Sequence, residues 1–558
     1  MCPLCVIKMN KLQESAQQFE PVAAGELQEK KRALIFPKWF IILFGITIVC
    51  IAVSQWSVPN DRAMANVLIA FVFILLGFVL YVRFVIFSCA SGRVRLSVFI
   101  GMPFLLGLGS LLFEITAVSG LLLPTIQFRG ARSADENLEQ ASTQVELGTV
   151  DLRAVNSKLD YPRFLGRDGH PHVTSAIWTA EPSMENVSLL WRRDIGAGWS
   201  SFAMVNGFAI TCEQRGDEEI VSCYDLSSGA LRWIHAVKQR HATLLGGVGP
   251  RATPTIAGGR VFSVGATGHF VCLAGETGDV LWEKELLDMI KSTPEKEKQL
   301  IAWGRSTSAL AVDGLVVVPL GGAPDGPFYS LVAFDQETGE QRWRAGNVQI
   351  SYASPIVMTL SGQRQIVSVN ESTVSGHEIE TGKVLWEYPW PGSSANAANN
   401  SQAVPVGDDR VWISKGYGTG SALFSVSESG GDWRTVRIWE NPRVLKTKYT
   451  NIVAVDGLAY GLSDGILECV RISSGERVWK KGRFNHGQIM MIGDVIVVQD
   501  EDGPLHFLRP HETGFDNLLT VEALDGISWA NPAVYDNKLI VRNATSVACY
   551  ELPITRGE

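Results

Sequence analysis

The stretch Leu273-Ala-Gly-Glu-Thr-Gly-Asp-Val-Leu-Trp282 decides the fold, because the chain repeats it. Tyr224-Asp-Leu-Ser-Ser-Gly-Ala-Leu-Arg-Trp233, Phe334-Asp-Gln-Glu-Thr-Gly-Glu-Gln-Arg-Trp343, His377-Glu-Ile-Glu-Thr-Gly-Lys-Val-Leu-Trp386 and Val470-Arg-Ile-Ser-Ser-Gly-Glu-Arg-Val-Trp479 share its form. Each carries Ser/Thr-Gly and then Trp four residues after the glycine. Weaker copies end at Trp191 and Trp439, and Glu512-Thr-Gly514 begins one without the Trp. A Trp column spaced about 40 to 60 residues apart approximates the four-strand unit of a propeller blade. Ser/Thr-Gly supplies a turn that tolerates positive φ between two β-rich runs. Trp191, Trp233, Trp282, Trp343, Trp386, Trp439 and Trp479 therefore read as wedges that dock one blade on the next rather than as ligand-stacking surfaces.

A second column lies upstream in each unit. It reads Trp199-Ser-Ser, Arg251-Ala-Thr, Ser306-Thr-Ser, Tyr352-Ala-Ser, Asn400-Ser-Gln, Tyr449-Thr-Asn, His486-Gly-Gln and Trp529-Ala-Asn, each followed by a short β-rich run. Eight copies predict eight blades, and the small second residues suit innermost strands crowded around an axis. The last unit stops before any Trp strand, while Ser188–Asp194 is a Trp strand lacking its first three. Pairing the two would complete the eighth blade and remove the open edges.

The remainder of the 558-residue chain reads differently. Trp39–Trp56, Val67–Phe87 and Leu96–Leu123 are apolar runs that meet or approach the length of a membrane-crossing helix. A cleaved signal peptide is disfavoured for the first, because 38 residues precede it and two further runs follow. Lys30, Lys31, Arg32 and Lys38 precede the first run, and Arg83, Arg93 and Arg95 surround the second connection. The positive-inside rule then puts the N-terminus in the cytoplasm and everything beyond Leu123 outside, in the periplasm of a multi-pass inner-membrane protein. Glu114 would be an intramembrane acid, a functional candidate by default. The expected organisation is a tail at 1–38, three transmembrane helices at 39–123, a polar stalk at 124–158 and a propeller at 159–558. The net charge of −8 arises wholly beyond residue 129, since the earlier residues carry eleven Lys/Arg against six Asp/Glu. An acidic exported part argues against nucleic acid as a partner.

These motifs resemble the tryptophan-docking repeat of the quinoprotein (PQQ) propellers, the eight-bladed fold of PQQ-dependent alcohol dehydrogenases and of BamB. Tyr161-Pro-Arg-Phe-Leu-Gly-Arg-Asp-Gly169 is similar to the opening motif of the PQQ-binding-like repeat proteins, with Tyr161 in place of Trp and Leu165 in place of Arg. The resemblance implies an all-β, eight-bladed propeller. For a PQQ enzyme it also implies a carboxylate base and a Ca²⁺ site of Glu, Asn or Asp beside the quinone, often with a vicinal Cys–Cys pair. No Cys-Cys occurs here. Cys223, Cys272, Cys469 and Cys549 share one repeat position, filled elsewhere by Ala333 and Gly376, and act as small buried hydrophobes. Cys2 and Cys5 have redox-like spacing but no second pair. His235, His241, His269 and His377 lack metal-ligand spacing.

The candidate ligand site is the ring of opening residues: Trp199, Arg251, Arg305 beside Ser306, Tyr352, Asn400, Tyr449, His486 and Trp529. Aromatic faces with Arg forks suit a planar anion or a sugar, whereas packing alone would plug the channel. An insert at residues 286–303 looks partly helical and is expected to decorate a blade edge, where partners bind. The expected function is a non-catalytic binding or scaffolding propeller of the envelope, without a cofactor and with a protein partner or small ligand. One alternative is a PQQ- and Ca²⁺-dependent oxidoreductase with a divergent site. The other is a carbohydrate sensor stacking sugars on Trp199 and Trp529.

Overall fold

The structure, a computed structural model, describes residues 62–131, 134–138, 149–153 and 159–557. The expected first span and the Cys2/Cys5 pair lie outside the described residues. The chain divides into two units, one ending at Leu111 and the other running from Leu112 to Glu558 with residues 60–63.

The first unit holds nearly all of helices α1 (Arg62–Phe87) and α2 (Gly92–Leu112), both long and apolar enough to cross a membrane. The Tyr81 hydroxyl donates to the Phe99 carbonyl at 2.8 Å, tying α1 to α2. The expected third span is shorter than its apolar run. Helix α2 stops at Leu112, and the run continues as a hairpin of β1 (Phe113–Val118) and β2 (Pro124–Phe128). β-Branched Ile115, Thr116 and Val118 favour strand, Ser119-Gly120 favours a turn, and Pro124 has no N–H for a helix. Glu114 consequently sits on a strand, 3.9 Å from Arg129 with both side chains about half exposed, and is not an acid buried in a transmembrane helix. The region expected to be stalk opens with β2.

The second unit contains a ring of eight sheets, each with four strands paired antiparallel as a blade. In chain order the blades span 203–237, 255–285, 310–345, 356–389, 404–441, 453–483, 488–521 and 533–551. Ser188–Asp194 supplies the outer strand of blade 8, with Trp191 opposite Cys549. The ring thus closes by joining its ends, as the repeat count predicts. Arg542, fully buried in blade 8, locks the joint. Its guanidinium donates to the carbonyls of Cys212, Gly196 and Gly198 and to the Thr211 hydroxyl, all in or just before blade 1.

The apolar core is divided among the blade interfaces. Eight clusters of buried side chains each draw on two adjacent blades. Burial of this kind stabilises by roughly 25 cal/mol per Å² of apolar surface.

Both halves of the repeat motif act at these interfaces. The indole N–H of Trp191 donates to Leu226 O at 2.9 Å, that of Trp233 to Gly275 O at 2.9 Å, and that of Trp343 to Ile379 O at 3.1 Å. Trp282, Trp439 and Trp479 do the same to Gln336, Ile472 and His511. Every acceptor belongs to the turn region of the next blade. The turn glycine lies under the ring: at Gly278, φ is +78° and an added Cβ would come within 2.6 Å of Trp233. The small slot faces the same ring within the blade, as in Cys223↔Trp233, Cys272↔Trp282, Ala333↔Trp343 and Gly376↔Trp386. Trp386 departs from the pattern because the hairpin of blade 5 has ten-residue strands and turns far out. Its N–H goes instead to Gln365 Oε1 at 2.5 Å in its own blade.

The insert after blade 2 forms two short helices, Leu286–Met289 and Pro294–Leu300, the second capped by the Thr293 hydroxyl. Leu286, Leu287, Ile290 and Ile301 are buried, so the insert is packed against the ring rather than merely decorating it.

Candidate functional site

All eight innermost strands run in the same sense, because every blade repeats the same strand order. The residues that precede them therefore gather at one mouth of the channel, and the residues that end them gather at the other.

The position after each small residue builds a collar. Ser201 N–H donates to Thr253 Oγ1, Thr253 N–H to Ser308 Oγ and Ser308 N–H to Ser354 Oγ, at 2.9–3.1 Å. Gln402 N–H donates to Asn451 Oδ1 at 2.9 Å, and the Ser201 hydroxyl donates to Asn531 O at 2.6 Å. The collar stitches neighbouring blades around the axis with buried, mostly satisfied polar groups. Its signal stands in the sequence as a third-position series of Ser, Thr, Gln and Asn beside the small residues.

Above the collar, the opening residues separate into groups. Trp199 and Trp529 have ring centres 4.9 Å apart, Tyr449 lies 5.3 Å from Trp529, and His486 lies 5.4 Å from Tyr449. They form one aromatic row across blades 6, 7, 8 and 1. Trp199, Tyr449 and Trp529 are half-buried, and His486 is buried. Beneath the row is Glu501, only 1% exposed, which sequence reasoning missed. Its Oε1 accepts from the Trp529 indole N–H at 2.9 Å and its Oε2 from the His486 backbone N–H at 3.1 Å. The acidic triplet Asp500-Glu501-Asp502 between two strands was the available signal. Burial, reinforced by Asp502 and Glu501, raises the neighbouring Asp500 to about 6.

The other candidates are held apart from this row. Arg251 donates to Gly246 O at 2.5 Å and Gly249 O at 3.2 Å, and the Trp199 indole shares the Gly246 carbonyl at 2.7 Å. Burial lowers Arg251 to about 10 and raises nearby Glu219 to about 7; Glu219 accepts from the Ala266 N–H. Tyr352 is buried against Trp303, with its hydroxyl donating to Ser394 O at 2.6 Å, and burial pushes that hydroxyl up. Asn400 donates its amide to Lys448 O at 2.7 Å. Arg305 is 2% exposed and does not reach the mouth. It pairs with Glu297 of the insert at 2.6 Å and donates to Pro319 O and Leu320 O, clamping the insert to blade 3.

The far end of the channel is crossed by the opening motif. Tyr161 bridges to Met204 of blade 1, Pro162 O accepts from Ile256 of blade 2, and Arg163 donates to Pro355 O before blade 4. His172–Val173 then pairs in parallel with the inner strand of blade 7. A cavity of about 1090 Å³ remains beside this strap, lined in part by Arg163, Arg167, Asp168 and Arg364.

A quinone with Ca²⁺ needs a carboxylate and an amide converging on one point. Glu219, Glu297 and Glu501 are committed to Ala266, Arg305 and the Trp529–His486 pair respectively, and the Asn400 amide to Lys448. Among the described residues no three His, Cys, Asp or Glu side chains converge as a metal site. The donor set present does not fit that pair.

Comparison with known proteins adds the lineage of the repeat. The family described as outer membrane protein assembly factor BamB matches residues 217–481. No curated protein matches the chain. Among solved structures, quinohemoprotein alcohol dehydrogenase from Comamonas testosteroni is 12% identical at a TM-score of 0.53, over 72% of this chain and 82% of that one. The quinohemoprotein alcohol dehydrogenase ADHIIG from Pseudomonas putida HK5 is also 12% identical, at 0.52 over 72% and 83%. BamB from Moraxella catarrhalis is 18% identical at 0.47, over 66% of this chain and 100% of that one. At such identities the two alcohol dehydrogenases share the fold. Residues 217–481 match the BamB-type, PQQ-like repeat, and the chain around them folds as an eight-bladed β-propeller.

Proposed function

We propose that this chain is a membrane-anchored propeller of the cell envelope that binds a protein partner at the mouth where the inner strands begin. Its role is that of a scaffold or assembly factor rather than a catalyst. Helices α1 and α2 supply the anchor, and Arg83, Arg93 and Arg95 around their connection favour a cytoplasmic connection and a periplasmic ring. The observation that carries the reading is the composition of the mouth. A half-buried aromatic row adjoins a loop that exposes Leu244 and Leu245, and that loop is fixed by Trp199 and Arg251 on the Gly246 carbonyl. Rigid aromatics with an adjoining Arg are the residue types that carry binding energy at protein interfaces. The assembly-factor name of the matching family points the same way.

Site-specific photo-cross-linking in native membranes tests this. A photoreactive residue at position 244 or 245 should give one discrete adduct with an envelope protein, and one at exposed Glu276 on an outer turn should not. Adducts that are absent, or identical at both positions, contradict the proposal.

A further inference from the structure

We propose that the mouth is a receptor for a glycine-tipped β-turn, and that its resident ligand is the chain's own hairpin tip, residues 119–122. The Gly120 N–H donates to Glu501 Oε1 at 2.6 Å, the same oxygen that takes the Trp529 indole. An added Cβ at Gly120 would collide with the Tyr449 hydroxyl and the His486 ring. No positive φ demands glycine at this position, so the residue is small because the cage leaves no room. The tip is preformed: Ser119 N–H donates to Leu123 O at 2.9 Å, Leu122 N–H to Ser119 O at 2.8 Å, and Leu123 N–H to the Ser119 hydroxyl at 3.2 Å. Leu122 holds φ at +58° to close it. A turn ordered in advance loses little freedom on docking. β1 also runs beside the Gly247–Val248 strand of the loop that carries Leu244 and Leu245.

Glu501 explains the selectivity. A carboxylate this deeply buried is costly unless N–H donors satisfy it, and one of its three donors comes from the hairpin. Anything that displaces the tip must bring a replacement N–H with no side chain at that position. That is the chemistry of a peptide turn bearing glycine. The tether gives the resident tip an effective concentration on the order of millimolar. The hairpin therefore gates the mouth, and only a partner presenting a better turn opens it.

This inference rests on the mouth being a recognition surface, but the contact within the chain is measurable without any partner. Hydrogen exchange of the full-length protein in detergent micelles reads it directly. Residues 119–123 should exchange slowly in the native chain and at least about tenfold faster in Gly120→Val and in Glu501→Gln. Exchange in blades 2–4 should be unchanged, which reports that the ring is folded. A cyclised peptide of residues 113–128 should bind Gly120→Val at least about tenfold more tightly than the native chain, whose mouth is occupied. Fast exchange of the native tip, tip protection unaltered by both substitutions, or equal or absent peptide binding to the two chains would overturn the inference. Cross-linking that finds no envelope partner while the tip remains protected would remove the external role and leave the resident contact standing.

Discussion

Replacing Gly278 with Ala tests blade docking. Gly278 lies in the turn of blade 2 with φ at +78°, and a Cβ there would stand 2.6 Å from the Trp233 ring of blade 1. Gly207 provides the control, since it has the same φ of +78° and nothing within 4 Å of an added Cβ. Alanine at either position pays the left-handed backbone penalty of about 1–2 kcal/mol. Only at Gly278 must a buried indole also move, an overpacking cost of about 1–3 kcal/mol. The Trp233 N–H bond to Gly275 O is also put at risk, worth about 0.5–1.5 kcal/mol. Gly278→Ala should therefore be about 2–4 kcal/mol more destabilising than Gly207→Ala. Denaturant melts followed by Trp fluorescence measure the difference. It should shrink when Trp233 is first changed to Leu, because the colliding ring is gone. Equal losses at the two glycines would refute the claim that turn and Trp form one docking unit.

Three further outcomes follow from other parts of the ring. Glu219 stands at about 7, above its unfolded value of 4.5, so the stability it contributes is present below about 4.5 and lost as pH rises through about 7. Glu219→Gln should therefore raise the melting temperature relative to the native chain at pH 8 but not at pH 4.5, and a pH-independent difference would contradict the assignment. Arg542→Ala strands buried carbonyls at the joint of blades 8 and 1, each costing about 1–3 kcal/mol, and should raise hydrogen exchange first in Ser188–Asp194. Glu297→Gln breaks the buried pair with Arg305 and should cost about 3–5 kcal/mol, whereas Glu297→Leu combined with Arg305→Met should recover much of it. Thermal unfolding of the single and the double variant checks this.

The propeller was readable because its determinants are local and repeated. The turn glycine and the Trp four residues later each serve a neighbour at a fixed offset, so every copy writes the same pair of letters. The closing strand Ser188–Asp194 was readable for the same reason, as a Trp strand without its companions. The hairpin at 113–128 was hidden because Phe113, Ile115 and Leu121–Leu123 are as apolar as the helix before them, and hydropathy does not distinguish strand from helix. Glu501 and Gly120 were hidden because 381 residues separate them, and only the closed ring brings them to 2.6 Å. Arg305 reads as a mouth residue in the sequence because it precedes one by a single position, while its partner Glu297 lies in an insert that breaks the repeat. Local chemistry writes the framework, while long-range partners write the site.

Under the proposed scaffold role, the mouth binds a partner and catalyses no PQQ-dependent oxidation. The most direct measurement is dye-linked alcohol and aldehyde oxidation by the purified full-length protein after incubation with PQQ and Ca²⁺. The same assay on Gly120→Val examines an emptied mouth. Neither chain should show quinone-dependent dye reduction. Turnover that depends on PQQ, in the native chain or the variant, would contradict it.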